Sequence, residues 1–112
     1  MKTKILILAM VLFAFTFVNA QKVFSVSNAA YADVKVYVVD NKAYADLLVY
    51  KVDHQAYAGK NDGTWYFVDH KAYAKKKIFF VDNKAYADLN IYFVDHKAYA
   101  GWKNNSKKQL MY

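Results

Sequence analysis

One phrase of thirteen residues, Val36-Tyr37-Val38-Val39-Asp40-Asn41-Lys42-Ala43-Tyr44-Ala45-Asp46-Leu47-Leu48, is restated six times along the chain, and no other feature restricts its fold as strongly. Copies begin at Val23, Val36, Val49, Trp65, Ile78 and Ile91. The spacing is thirteen except between the third and fourth copies, where 65 − 49 = 16 reveals three inserted residues. Units this short cannot each bury a core, so they must pack on one another in one compact domain.

The opening of each copy is β-branched or aromatic, as in Val36-Tyr37-Val38-Val39, Trp65-Tyr66-Phe67-Val68 and Ile91-Tyr92-Phe93-Val94. These runs read as strands. They are continuous rather than alternating, which calls for burial on both faces, or for one face that carries tyrosine at a wet boundary. Asp40-Asn41-Lys42 and its equivalents then form a turn, because Asp and Asn side chains bond to nearby backbone amides and tolerate left-handed φ. Ala-Tyr-Ala follows, centred on Tyr31, Tyr44, Tyr57, Tyr73, Tyr86 and Tyr99. Alanine is a poor strand former, so its recurrence implies close packing at both positions, with the tyrosine ring seated in a pocket or ladder between neighbours. Ala-Tyr-Ala-Asp-Leu-Leu also has helix propensity, but six residues bracketed by strand signals are too few to hold a helix. Each repeat is therefore expected to be strand, turn, strand, giving an all-β domain with almost no helix. The insert Gly59-Lys60-Asn61-Asp62-Gly63-Thr64 reads as a longer loop dividing the domain into two halves of three units.

The ends carry different information. Lys2 and Lys4, an apolar run from Ile5 to Val18 and Val18-Asn19-Ala20 before Gln21 have the three parts of a secretory signal peptide, residues 1–20. The run holds 18 − 5 + 1 = 14 residues, short of the roughly 20 a spanning helix requires, so an uncleaved anchor is the weaker reading. Export places the product in the periplasm or outside the cell, and no transmembrane segment is expected after cleavage. The repeat domain occupies residues 21–102, and residues 103–112 read as a basic, disordered tail. With no cysteine in the chain, constraint must come from packing and topology rather than disulfides.

After removal of residues 1–20 the charge is 16 − 2 = 14 lysines against nine aspartates, with no Arg or Glu. Without guanidinium groups the chain has no bidentate fork for carboxylate, phosphate or a guanine edge. Lys75-Lys76-Lys77 and Lys103, Lys107 and Lys108 lie where the pattern is interrupted or over, and read as solubilising charges that blunt sheet edges. Docking to anionic lipid or an acidic polymer is a weaker alternative.

Tandem V-Y-x-V-D-x-x-x-x-A-D-L units, a glycine-containing insertion before Trp65-Tyr66-Phe67-Val68 and the ending Ala100-Gly101-Trp102 resemble the septoil-knot domain family, small bacterial β proteins whose chain follows a seven-crossing torus knot. The resemblance covers Lys22 to Trp102. It implies that the six repeats intertwine as a deep knot, and it brings no catalytic residues or activity with it. The Ala-Tyr-Ala turn ends, the signal peptide and the basic tail depart from the family pattern.

His54, His70 and His96 stand where other copies have Asn28, Asn41 and Asn83, an exchange explained by turns that need left-handed φ. Units three, four and six are not evenly spaced around any simple ring, so no metal site is expected. Asp40, Asp53, Asp69, Asp82 and Asp95 lack the several glycines per turn of calcium-binding β repeats and read as turn caps. An enzyme is not expected, because every candidate acid or base is repeated whereas an active site gathers different groups at one place. No cofactor is implied. Export argues against a nucleic-acid partner.

Tyrosine is the remaining feature. Ordered rings beside Asp and Asn suit an extracellular carbohydrate or cell-wall polymer, with Tyr44, Tyr57, Tyr73, Tyr86 and Tyr99 as repeated contacts. The plainer expectation is half-buried rings with hydroxyls at the surface, in a domain whose role is structural or lies in binding a protein partner. Exposure of those rings separates the two.

Overall fold

The computed structural model describes residues 20–112. The expected signal peptide lies outside the described residues, save Ala20. Among the described residues no helix is long and apolar enough to cross a membrane.

Each repeat contributes one strand: β1 (Lys22–Ser25), β2 (Val34–Val38), β3 (Leu47–Lys51), β4 (Thr64–Phe67), β5 (Lys76–Phe80) and β6 (Leu89–Phe93). Most begin two residues before the repeat boundary, taking in the end of the preceding copy. The second extended segment expected in each unit is instead a single 3-10 turn ending on the tyrosine, as at Lys42–Tyr44, where Tyr44 N–H donates to the Asn41 carbonyl and Ala45 N–H to the Lys42 carbonyl. Three residues suffice for such a turn, so the length argument that excluded an α-helix does not exclude it.

The six strands are parallel and close on themselves in the order β4-β1-β5-β2-β6-β3, with β3 pairing back to β4. Every strand of the barrel lies between two strands from the other half of the sequence. Closure leaves the barrel wall with no free edge. A two-residue strand β7 (Gly101–Trp102) pairs antiparallel with β3.

The register explains why the repeat has the residues it has. Starting at Val23 and advancing two residues at each successive strand leads through Ile78, Val36, Ile91, Val49 and Trp65 and returns to Val23. These are the first residues of the six copies, all fully buried, and they form one layer across the barrel interior. Leaving Thr64 along the paired positions, without advancing, comes back at the register of position 52, a stagger of twelve residues (64 − 52). Two residues per strand over six strands match that stagger, which is the condition for every strand to supply a side chain to every layer.

A second layer holds Val34, Leu47 and Leu89 with Gln21 and Gly63, all buried. The third, at the opposite mouth, holds half-buried Phe67, Phe80 and Phe93, with Lys51 Nζ 5.2 Å and 4.6 Å from the centres of the Phe67 and Phe93 rings. Alternation turns Phe24, Tyr37, Tyr50, Tyr66, Phe79 and Tyr92 outward, half-buried beneath the turns. The continuous apolar runs thus face a core on one side and a wet, tyrosine-bearing boundary on the other.

The end of the chain is ordered, contrary to the disordered tail expected from its polarity. Asn105–Met111 is a 3-10 helix, and Met111 is fully buried in the core with Leu110 packed beside it. Gln21 Nε2 donates to the Met111 carbonyl at 3.2 Å and Asn61 Nδ2 to the Lys108 carbonyl at 3.0 Å. A single buried methionine outweighs the lysines around it, whose charged ends remain near solvent. The mid-chain insert is equally fixed: Gln21 N–H donates to the Gly59 carbonyl, and Trp102 Nε1 donates to the Asn61 carbonyl at 3.0 Å. It is a latch joining both ends of the domain rather than a loose divider.

Candidate functional site: a belt of tyrosine turns

Each linker passes outside one strand, and those of repeats 1, 2, 4 and 5 bond to its backbone from both flanks. In repeat 1, Val26 N–H donates to the Ile78 carbonyl and Asp33 N–H to the Lys77 carbonyl, so the turn straddles β5. By the same pattern repeat 2 straddles β6, repeat 4 straddles β1 and repeat 5 straddles β2, while Val52 N–H to the Trp65 carbonyl and Val94 N–H to the Val49 carbonyl seat repeats 3 and 6 on β4 and β3. The six turns therefore follow the same two-residue advance per strand as the core layer. They girdle the barrel at one level.

Local chemistry holds each turn in place. Asn28, Asn41 and Asn83 lie at extended φ of −137°, −129° and −129°, and their Oδ1 atoms accept from the N–H of Ala30, Ala43 and Ala85 at 2.9 Å. This is N-capping at extended backbone, so the left-handed φ expected at these positions is absent. It is also Asn, one residue later, that caps the turn where Asp40 and its equivalents were expected to. His54, His70 and His96 make no such bond; each instead meets the tyrosine three residues on, edge to face, with ring centres 5.5, 5.8 and 5.5 Å apart. The aspartates that work structurally are the ones closing the Ala-Tyr-Ala-Asp units: Asp33, Asp46 and Asp88 accept from the N–H of Lys77, Asn90 and Lys35 at 2.9 Å. Sequence reasoning passed over them because the signal was a neighbouring strand's backbone, far away in the chain.

The tyrosines are the main departure from the plainer expectation. Tyr31, Tyr44, Tyr57, Tyr73, Tyr86 and Tyr99 are 58–70% exposed, so no pocket or ladder receives them. Close packing is confined to the second alanine of each triplet: Ala45 is buried while Ala43 is exposed. The rings project because each sits at the end of a tight turn whose flanks are pinned to the barrel wall. Lys84 Nζ lies 5.6 Å from the centre of the Tyr44 ring, linking the adjacent turns of repeats 5 and 2.

Between neighbouring turns run shallow grooves floored by the outward aromatic residues. One of about 560 Å³ lies between repeats 2 and 6, lined by Asn41, Lys42, Tyr92, Asp95, His96 and Tyr99. Another of about 910 Å³ separates repeats 1 and 4, with Phe24, Tyr31, Asp33 and Lys71 on its walls. A third, about 350 Å³, holds Lys35, Phe79 and Tyr86 between repeats 1 and 5. Among the described residues no group of three or more His, Asp or Glu side chains is placed to hold a metal ion.

Comparison with known proteins adds one match: a family model described as "7(1) septoil knot domain" covers residues 20–103. No curated protein and no solved structure matches the chain.

Proposed function

The chain belongs to the septoil-knot domain family, a family of unknown function, and from that premise we propose that it is an exported, non-catalytic interaction module whose contact surface is the tyrosine belt and whose ligand is an extended carbohydrate or cell-wall polymer. The observation that carries this reading is the exposure of six equivalent rings, 58–70% each, at one level of a closed barrel. Large rings left in water on a rigid support lose little conformational freedom when a ligand stacks on them, and each has an apolar face and a polar tip. Flanking Asp, Asn and Lys side chains supply acceptors and donors for sugar hydroxyls. A polymer with its own repeat engages several turns in succession, so weak single contacts add up. Strands 4.8 Å apart with a two-residue advance place successive turns roughly 8 Å apart at the barrel wall.

Export rests on the N-terminal segment of the sequence, and it argues against nucleic acid as the polymer. The test is a screen of glycans and cell-wall polymers against the protein, read by tyrosine and tryptophan fluorescence. Saturable binding that falls at least about tenfold when Tyr44, Tyr57, Tyr73, Tyr86 and Tyr99 are changed to alanine supports the reading. Binding unaffected by those changes moves the contact surface elsewhere. No binding to any polymer leaves a structural role or a protein partner for the domain.

A further inference from the structure

The asparagine and histidine turns alternate irregularly in the sequence, as Asn, Asn, His, His, Asn, His. The barrel sorts them. Repeats 6, 3 and 4 straddle β3, β4 and β1, three consecutive strands, so His96, His54 and His70 lie on one continuous arc. Repeats 1, 5 and 2 straddle β5, β2 and β6, which puts Asn28, Asn83 and Asn41 on the other half.

Charge divides along the same line. The three asparagine linkers, residues 26–33, 39–46 and 81–88, carry Asp33, Asp40, Asp46, Asp82 and Asp88 against Lys42 and Lys84. In the three histidine linkers, 52–59, 68–75 and 94–101, Asp53, Asp69 and Asp95 are balanced by Lys71, Lys75 and Lys97. The histidine linkers are neutral with neutral imidazoles and gain three positive charges when they are protonated, whereas the asparagine linkers hold no imidazole. Histidine is the side chain that changes charge between pH 5 and 8.

We propose that the arc carrying His96, His54 and His70 is an acid-gated docking face for a carboxylate-bearing polysaccharide, a reading that rests on the tyrosine belt being a polymer-binding surface. A polyuronate offers sugar faces to Tyr99, Tyr57 and Tyr73 and carboxylates to the imidazolium and lysine groups between them. Each histidine has an aspartate immediately before it, Asp95, Asp53 or Asp69, and meets its own tyrosine edge to face. Across the groove His96 also faces Asp40, Lys42 and Tyr92. Beneath the arc, alternation turns Tyr50, Tyr66 and Lys22 outward from β3, β4 and β1.

The experiment measures binding of polygalacturonate and of a neutral glucan to the protein at pH 5.5 and pH 7.5, with a His54→Asn, His70→Asn, His96→Asn triple variant alongside. Asparagine already fills this place in three of the six turns and caps it there, so the variant keeps the fold. Three exposed charge contacts make polygalacturonate bind about tenfold tighter at pH 5.5 than at pH 7.5, the neutral glucan shows no such step, and the variant loses it. A step of equal size in the variant overturns the proposal. So does acid-dependent binding to phosphatidylglycerol vesicles without binding to polygalacturonate, which makes the arc a membrane face. Glucan binding with no pH step for polygalacturonate defeats this inference alone, whereas binding of neither polymer defeats the belt reading with it.

Discussion

Met111→Ala is the most direct test of the claim that the C-terminal helix is part of the barrel. Met111 is fully buried beside the ring of Val34, Leu47 and Leu89, and its carbonyl accepts from buried Gln21. Truncating a buried Met to Ala removes transfer free energy and leaves a cavity, together about 2–5 kcal/mol. The helix sits at the barrel end and can close part of the gap, which puts the expected loss at about 3 kcal/mol. With a urea m-value of about 1 kcal/mol/M for a domain this small, the unfolding midpoint falls by about 3 M. Samples must be brought to equilibrium from both the native and the unfolded side, because threading slows the approach. Tyr112→Ala, one residue further on and exposed, is the control and moves stability by less than about 0.5 kcal/mol. If Met111→Ala unfolds within about 0.5 M of the unmodified protein, the helix does not plug the barrel and the core ends at the second layer.

Gly63 has a φ of 90°, and a Cβ there would stand 2.5 Å from the Leu48 carbonyl oxygen and 2.8 Å from the Gly101 nitrogen, so Gly63→Ala combines backbone strain with a clash against two backbones. It is expected to lower stability by at least about 2 kcal/mol in urea titrations, and a neutral result would mean that the latch is not rigid. Asp46→Ala should cost about 2–3 kcal/mol and Asp33→Ala about 1, because Asp46 accepts from Asn90 N–H and Asn104 Nδ2 and pairs with Lys107 at 3.3 Å, whereas Asp33 makes the single bond to Lys77. Equal losses for the two aspartates would show that Asp46 does not anchor the tail. Since the domain is a septoil knot, the native chain must be drawn back through itself to unfold, and unfolding slower than about 10⁻⁵ per second is expected even at modest equilibrium stability. Millisecond two-state refolding, followed by tryptophan fluorescence, would contradict that.

What the sequence determined by itself is the content of one unit. The recurrence of Val23, Val36, Val49, Trp65, Ile78 and Ile91 establishes a buried position in every copy, and the β-branched and aromatic residues around it establish a strand, because both follow from side-chain shape and transfer from water within a few residues. The turn at Asp-Asn-Lys was equally local. The 3-10 form of Ala-Tyr-Ala was not legible, since propensity weighs helix against strand and a three-residue turn is held by its pinned ends.

Only the tertiary structure decided which strands are neighbours. Thirteen-residue periodicity is satisfied by simple stacking as well as by interleaving, and strand pairing depends on contacts far apart in the chain. Interleaving is what turns six scattered tyrosines into a belt and gathers His54, His70 and His96 on one arc, although their spacing in the sequence argues against any ring. It also explains Met111: a closed barrel with a twelve-residue stagger has an open end lined by Val34, Leu47 and Leu89, and one apolar residue within a polar tail is enough to fill it.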